Sequence, residues 1–113
     1  MSDCIFCKLA NGEIPTDMVY EDELIAAFRD AAPQAPVHVL VVPKCHVGSL
    51  DELTEEHAGL ISHLMLKIKD IARAEGLENG YRVVINTGAD GGQTVPHLHF
   101  HVLGKRYMQW PPG

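Results

Sequence analysis

No segment of this chain is long and apolar enough to span a bilayer; its hydrophobic runs fall far short of the ~20 residues required. Met1–Cys4 shows no basic stretch leading into an apolar run, so no secretory signal is visible and a cytoplasmic protein is expected. No Lys/Arg cluster stands out and the formal net charge is −6, which argues against nucleic-acid and membrane partners held by phosphate contacts. The cysteines number three, an odd count that does not read as a disulfide framework. Repeats, linkers and low-complexity stretches are also missing. What remains is 113 residues with ordinary apolar (46%) and charged (21%) content, read as one domain over residues 1–113. A chain of that length buries about two-thirds of its unfolded surface.

"SDCIFCKLANGEIP" reads as a short helix capped by Ser2 or Asp3, with Ile5, Phe6 and Leu9 on its apolar face and Gly12 and Pro15 ending it. Two strands around an Asp22 turn follow, the second over Leu24–Arg29, and then the β-branched run "VHVLVVP" stopped by Pro43. The one long helix is predicted over "TEEHAGLISHLMLKIKDIARAEG". Thr54 is its N-cap, Gly76 its C-terminal stop, and Leu60, Ile61, Leu64, Ile68, Ile71 and Ala72 form one stripe. His57 and His63, on this helix, read as surface residues. "YRVVIN", the glycine-rich "TGADGGQTV" and the strand "HLHFHVLG" complete the chain. This order predicts an α+β fold, an antiparallel sheet of about five strands with one long and one short helix.

The last strand carries the chemistry. His97, His99 and His101 stand at every second position, so they share one face of a strand, with Leu98, Phe100, Val102 and Leu103 assigned to the core behind. Same-face neighbours on a strand lie ~6.6–6.8 Å apart, so one ion with bonds of ~2.0–2.1 Å cannot easily take all three imidazoles. An inert solvated row would not need the apolar back face. An imidazole can, however, attack phosphorus, leave again, and donate hydrogen bonds near neutral pH. Gly91 and Gly92, just upstream, let backbone amides approach a phosphate.

"HLHFHVL" fits His-x-His-x-His-x-x with apolar x, and by this signature the chain resembles the histidine-triad (HIT) superfamily. "NTGADGGQTVPHLHFHVLGKRYMQWPPG", "GEIP", "FRDAAPQAPVHVLVVPKCHV" and "GYRVVIN" are similar, in order, to the histidine-triad nucleotide-binding branch. The resemblance implies a HIT-like fold, a homodimer, and hydrolysis of purine nucleoside phosphoramidates and aminoacyl adenylates to a nucleoside monophosphate. It implies His99 as nucleophile, His101 on the α-phosphate with His97 completing the triad, and His38 orienting or relaying a proton to His99. Asp30, followed by Ala31, would hold the ribose hydroxyls; alone, it also reads as a turn-initiating residue. Asn86, Gly92, Gln93 and Thr94 would surround the phosphate, Thr94 standing where the family often has serine. Ile5, Phe6, Leu9 and Phe28 would line the base pocket. Pro96 stands in place of an aromatic and Lys105 in place of a glycine. The "WPPG" ending, with the single tryptophan Trp110, implies a tail that reaches across the dimer toward the partner's site, with Met65 and Leu66 as interface candidates. A sister branch with the same triad hydrolyses dinucleoside polyphosphates, and a non-catalytic nucleotide-binding module would use the same pocket.

Cys4 and Cys7 stand at i, i+3, and Cys-x-x-Cys is the usual half of a zinc site. His46 and His97 are the candidates for its other half, and bacterial members of the superfamily that carry zinc resemble this pattern. Two reduced cysteines on a helix are the alternative, and Cys45 is left out of the set. No cofactor is expected to be needed for catalysis.

Overall fold

Seven consecutive residues, Val37–Pro43, are buried, and the fold is arranged around that strand. The computed structural model describes residues 3–113. In chain order its elements are α1 (Ile5–Ala10), β1 (Met18–Glu21), β2 (Ile25–Arg29), β3 (Val37–Pro43), α2 (Ala58–Ala74), β4 (Tyr81–Val84) and β5 (Phe100–Gly104). Two single turns of 3-10 helix, Leu50–Glu52 and Glu55–His57, precede α2. The strands form one sheet in the order β1-β2-β3-β5-β4, with every neighbouring pair antiparallel.

Alternation along the central strands builds two apolar layers. Ile25, Ala27, Val37, Val39, Val41, Leu98, Phe100 and Val102 pack with Leu64, Ile68, Ile71 and Ala72 of α2. Ala26, Phe28, Leu40 and Val42 pack on the other side with Phe6 and Ala10 of α1. β3 is therefore covered from both faces, which explains its unbroken burial. The expected helix stripe meets the core, with Leu60 and Ile61 packed at its margin. The C-terminus of α2 closes as expected at Gly76, whose φ of +79° suits glycine. Gly76 N–H donates to Arg73 O and Leu77 N–H to Ala72 O, and Leu77 is buried beside them. Gly104 is fixed by space, since a Cβ there would stand 2.6 Å from Leu77 Cδ2.

Several boundaries and assignments differ from expectation. Ser2 lies outside the described residues, and Cys4, not Asp3, caps α1, its Sγ accepting from Cys7 N–H. Thr54 caps the 3-10 turn that leads into α2, and His57 Nδ1 accepts from Thr54 N–H where a glutamate commonly serves. His57 and His63 are half-buried, not surface residues; His63 Nε2 lies 2.7 Å from Asp22 Oδ2. Burial alone would raise the Asp22 pKa, but bonds from Tyr20, His63 and the Leu24 and Ile25 amides hold it well below the usual carboxylate range. β2 starts at Ile25, one residue after the predicted Leu24, and β4 ends at Val84, short of Asn86. Leu103 faces the histidine side by alternation and is absent from the α2 layer. The final strand begins only at Phe100: continued register would set Leu98 against Pro43, which has no N–H to give, and Leu98 N–H bonds Val47 O instead. No described helix is long and apolar enough to cross a membrane.

Candidate active site

The α1 side of the sheet holds a cavity of about 450 Å³. Ile5, Phe6 and Leu9 of α1 wall one side, with Phe28 and Leu40 on the sheet; Asp30, Ala31, Thr94, His99 and His101 add the polar groups. Pro15, Thr16, Arg29 and Val95, which sequence reasoning did not assign to the site, complete the rim together with Leu40. Leu40 had a readable signal, because it stands two residues from His38 on a strand and so shares its face.

The histidines are placed by register. β3 and β5 pair Leu40 with His101 and His38 with Leu103, so His38 and His101 are diagonal neighbours on one face. Their rings meet, with His38 Nε2 2.9 Å from His101 Nδ1. Hydrogen bonds to the main chain fix which nitrogen carries each proton. Gln34 N–H donates to His38 Nδ1 at 3.0 Å, so neutral His38 carries its proton on Nε2 and gives it to His101 Nδ1. His101 then keeps an N–H at Nε2. His99 Nδ1–H donates to His97 O at 2.6 Å, which leaves the lone pair on Nε2. The result is one imidazole with a free lone pair beside another with a free donor, ring centroids 5.0 Å apart.

Burial pushes the His101 pKa down to about 4, reinforced by His99 and His38 and opposed by Asp30. His38 is lowered by burial too, against Asp30, whose Oδ2 lies 3.5 Å from Nε2. Asp30 Oδ1 accepts from Ala32 N–H at 2.8 Å, so the residue does start a turn while its other oxygen remains at the cavity. His38 bonds His101 and not His99, so the expected relay from His38 to His99 has no direct contact in the structure.

The first histidine of the row departs from the other two. His97 is fully buried, and its Nε2–H donates to Pro43 O at 2.9 Å. Its Nδ1 lone pair faces Cys4 Sγ at 3.3 Å and Cys7 Sγ at 3.5 Å, while His46 Nδ1 lies 3.3 Å from Cys7 Sγ. One ligand atom from each of Cys4, Cys7, His46 and His97 lies within 4.8 Å of all the others. Zinc bonds of ~2.3 Å to sulfur and ~2.0–2.1 Å to nitrogen, arranged tetrahedrally, set S···N edges of roughly 3.5 Å, so the donor set fits. The Pro43 carbonyl supplies the outer hydrogen bond that orients a ligating imidazole. Burial and the adjacent Cys4 push the Cys7 thiol up to about 11, a cost that a divalent cation would relieve. Cys45 is exposed and outside the cluster.

The remaining expected residues are not at the cavity wall. Gln93 spends its side chain on the loop, accepting from Gly88 N–H and donating to Gly48 O and Val95 O. Gly92 has a φ of +78°, and a Cβ on Gly91 would collide with the Thr87 backbone, so both glycines shape this loop. Asn86 is half-buried behind it. Trp110 is 80% exposed and does not approach this chain's own cavity.

The HIT domain profile matches residues 11–108. The chain belongs to the HIT family. A HIT family hydrolase from Legionella pneumophila is similar at 49% identity and a TM-score of 0.95, over 97% of this chain and 99% of that one. A histidine triad protein from Clostridium difficile is similar at 47% identity and a TM-score of 0.93, over 96% of each chain. An uncharacterized HIT-like protein of Synechococcus elongatus is 60% identical over 111 residues, 98% of this chain and 97% of that protein. The HIT fold accounts for the sheet order and for the single long helix over its back face.

Proposed function

We propose that this HIT protein hydrolyses nucleoside 5′-phosphoramidates and aminoacyl adenylates, passing the nucleotide through a covalent bond to His99. The carrying observation is the His99 tautomer, held by His97 O so that a free Nε2 lone pair lines a cavity with an apolar wall. Nε2 attacks the phosphorus, a P–N or P–O bond breaks, and the amine or acyl group leaves. Water then attacks the phosphorus of nucleotidyl-His99, releasing the monophosphate and restoring the imidazole. His101 Nε2–H is positioned to bond a phosphoryl oxygen as charge builds there, and His38 holds His101 in the donor tautomer. Asp30 Oδ2 is the acceptor available for ribose hydroxyls, and the α1 wall with Phe28 takes a flat base. The similarity to HIT family hydrolases supports this reading.

A zinc ion held by Cys4, Cys7, His46 and His97 belongs to the same proposal. Four protein ligands leave no open coordination position, so its role is to tie α1 to the sheet. A homodimer is proposed from surfaces without a partner among the described residues: the edge strand β4, and Met65 (47% exposed) and Leu66 (60%) on α2. The exposed tail around Trp110 would border the partner's departing group. Incubation with adenosine 5′-phosphoramidate, with dinucleoside polyphosphates in parallel, tests the reading. Release of adenosine monophosphate from the phosphoramidate supports it; no turnover, or turnover of the polyphosphates alone, refutes it.

A further inference from the structure

The two sulfurs at the start of α1 face the His97 ring, and the proposed hydrolysis makes no direct use of them. Cys4 and Cys7 are both half-exposed, and Cys4 Sγ lies 3.3 Å from Cys7 N. Their sulfurs fall within the 4.8 Å span of the four-residue cluster, so side-chain rotation alone brings them toward the ~2.05 Å of a disulfide. We infer that Cys4 and Cys7 form a reversible oxidation site for hydroperoxides, and that closing their disulfide loosens α1 and weakens nucleotide binding in the adjoining cavity.

The chemistry balances with hydrogen peroxide as oxidant. The Cys4 sulfur, once deprotonated, attacks a peroxide oxygen, because burial holds the Cys7 thiol protonated; the S–O bond forms, the O–O bond breaks, and hydroxide leaves and takes a proton to become water. The second sulfur then attacks the sulfenic sulfur; the S–S bond forms, the S–O bond breaks, and a second water departs. Two thiols and one peroxide give one disulfide and two waters, and any cation held by the thiolates is released with them.

The structural consequence follows from what the sulfurs hold. Disulfide sulfurs are neither thiolate ligands nor S–H donors, so the His97 Nδ1 lone pair loses its partners while fully buried. α1 has six residues, far below the ~12–15 at which a helix persists alone, so its place depends on contacts. The same helix gives Ile5, Phe6 and Leu9 to the cavity. Phe6 meets the His99 ring edge-on at 4.9 Å and the His97 ring at 6.1 Å, so disturbance of the sulfurs reaches the nucleophile through one side chain.

The affinity part of this inference rests on the cavity being a nucleotide site, so two independent readouts are needed. The full-length protein as isolated is treated with hydrogen peroxide. Its tryptic peptide Met1–Lys8 is expected to lose about two mass units and to regain them with dithiothreitol. Adenosine monophosphate affinity is expected to fall about tenfold on oxidation and to recover on reduction. Amide-hydrogen exchange in residues 5–10 is expected to accelerate in the oxidised protein. Cys45→Ser should respond like the wild type, whereas Cys7→Ser should not form the bond. Oxidation stopping at sulfinic acids, or a Cys4–Cys7 disulfide that changes neither exchange nor affinity, overturns the inference. Absence of monophosphate binding in the reduced protein refutes the nucleotide reading instead, and accelerated exchange in α1 still supports the oxidation site.

Discussion

Replacing His101 by glutamine tests the electrostatics of the site without touching His99, the proposed nucleophile. The amide oxygen of glutamine can accept the His38 Nε2–H, so the pair survives while the titrating group is lost. The His101 pKa falls from the ordinary 6.5 to about 4 on folding, because burial and the neighbouring His99 and His38 disfavour its cation. Between those values the unfolded chain binds a proton that the folded chain refuses. Stability from this group is therefore fully present above pH 6.5 and is lost as pH falls toward 4. Integrating the linkage from about pH 7.5 to about pH 4.5 gives a loss of about 2.5 kcal/mol from His101 alone. His38 is lowered by burial against Asp30, neither of which the substitution alters, so its contribution cancels between the two proteins. Asp22 acts in a different window: its depressed pKa contributes stability above the ordinary 3.8 that is lost only at lower pH. Urea melts at the two pH values should show the wild type losing about 2.5 kcal/mol more than His101→Gln, a difference of about 1–2 M in midpoint. Parallel losses, within about 0.5 kcal/mol, would show that His101 is not held neutral by burial.

His99→Ala should lower turnover of adenosine phosphoramidate by several orders of magnitude while monophosphate binding stays measurable; a variant above about a tenth of the wild-type rate ends the nucleophile assignment. The purified protein should contain about one equivalent of zinc, and Cys4→Ala should lose it with a lower melting temperature, whereas metal-free protein melting at the same temperature removes the zinc site. Chelation should leave the chemistry largely intact; complete, reversible loss of activity would point to a metal mechanism. Gly104→Ala should cost about 1–3 kcal/mol by driving Leu77 off its packing, read as a lower urea midpoint, and an unchanged midpoint would mean that Leu77 moves freely. Deleting residues 108–113 should preserve the dimer and alter preference between two phosphoramidates differing only in their amine; unchanged selectivity, or a monomeric wild type by sedimentation, would refute the role given to the tail.

Local pattern was enough to find the strands, the long helix and the histidine row, because periods of 2.0 and 3.6 are written in nearest neighbours. Partnership across the sheet was not. His38 meets His101 because β3 and β5 pair His38 with Leu103, and no local signal sets that register. The row also looked like one continuous strand, yet Pro43 on the neighbouring strand ends the ladder before His97. That break lets His97 turn its ring to the cysteines, the pair for which it was already a candidate partner. The family resemblance implies Gln93 at the phosphate, but Gly48 and Val95 carbonyls take its amide. Chemistry-bearing residue types announced the site; the division of labour among them depended on three-dimensional register.

The protonation pattern of His38, His99 and His101 is set by main-chain groups: the Gln34 amide for His38 and, through His38, for His101, and the His97 carbonyl for His99. Genetic robustness follows. Position 34 can drift through nearly the whole alphabet, because every residue there offers the same N–H, with proline as the one exception. A saturation library at 34 should therefore return mostly active clones, with Gln34→Pro the conspicuous dropout. Vulnerability moves from the letters around the histidines to the path of the main chain, which lineages can preserve while exchanging nearly everything that decorates it.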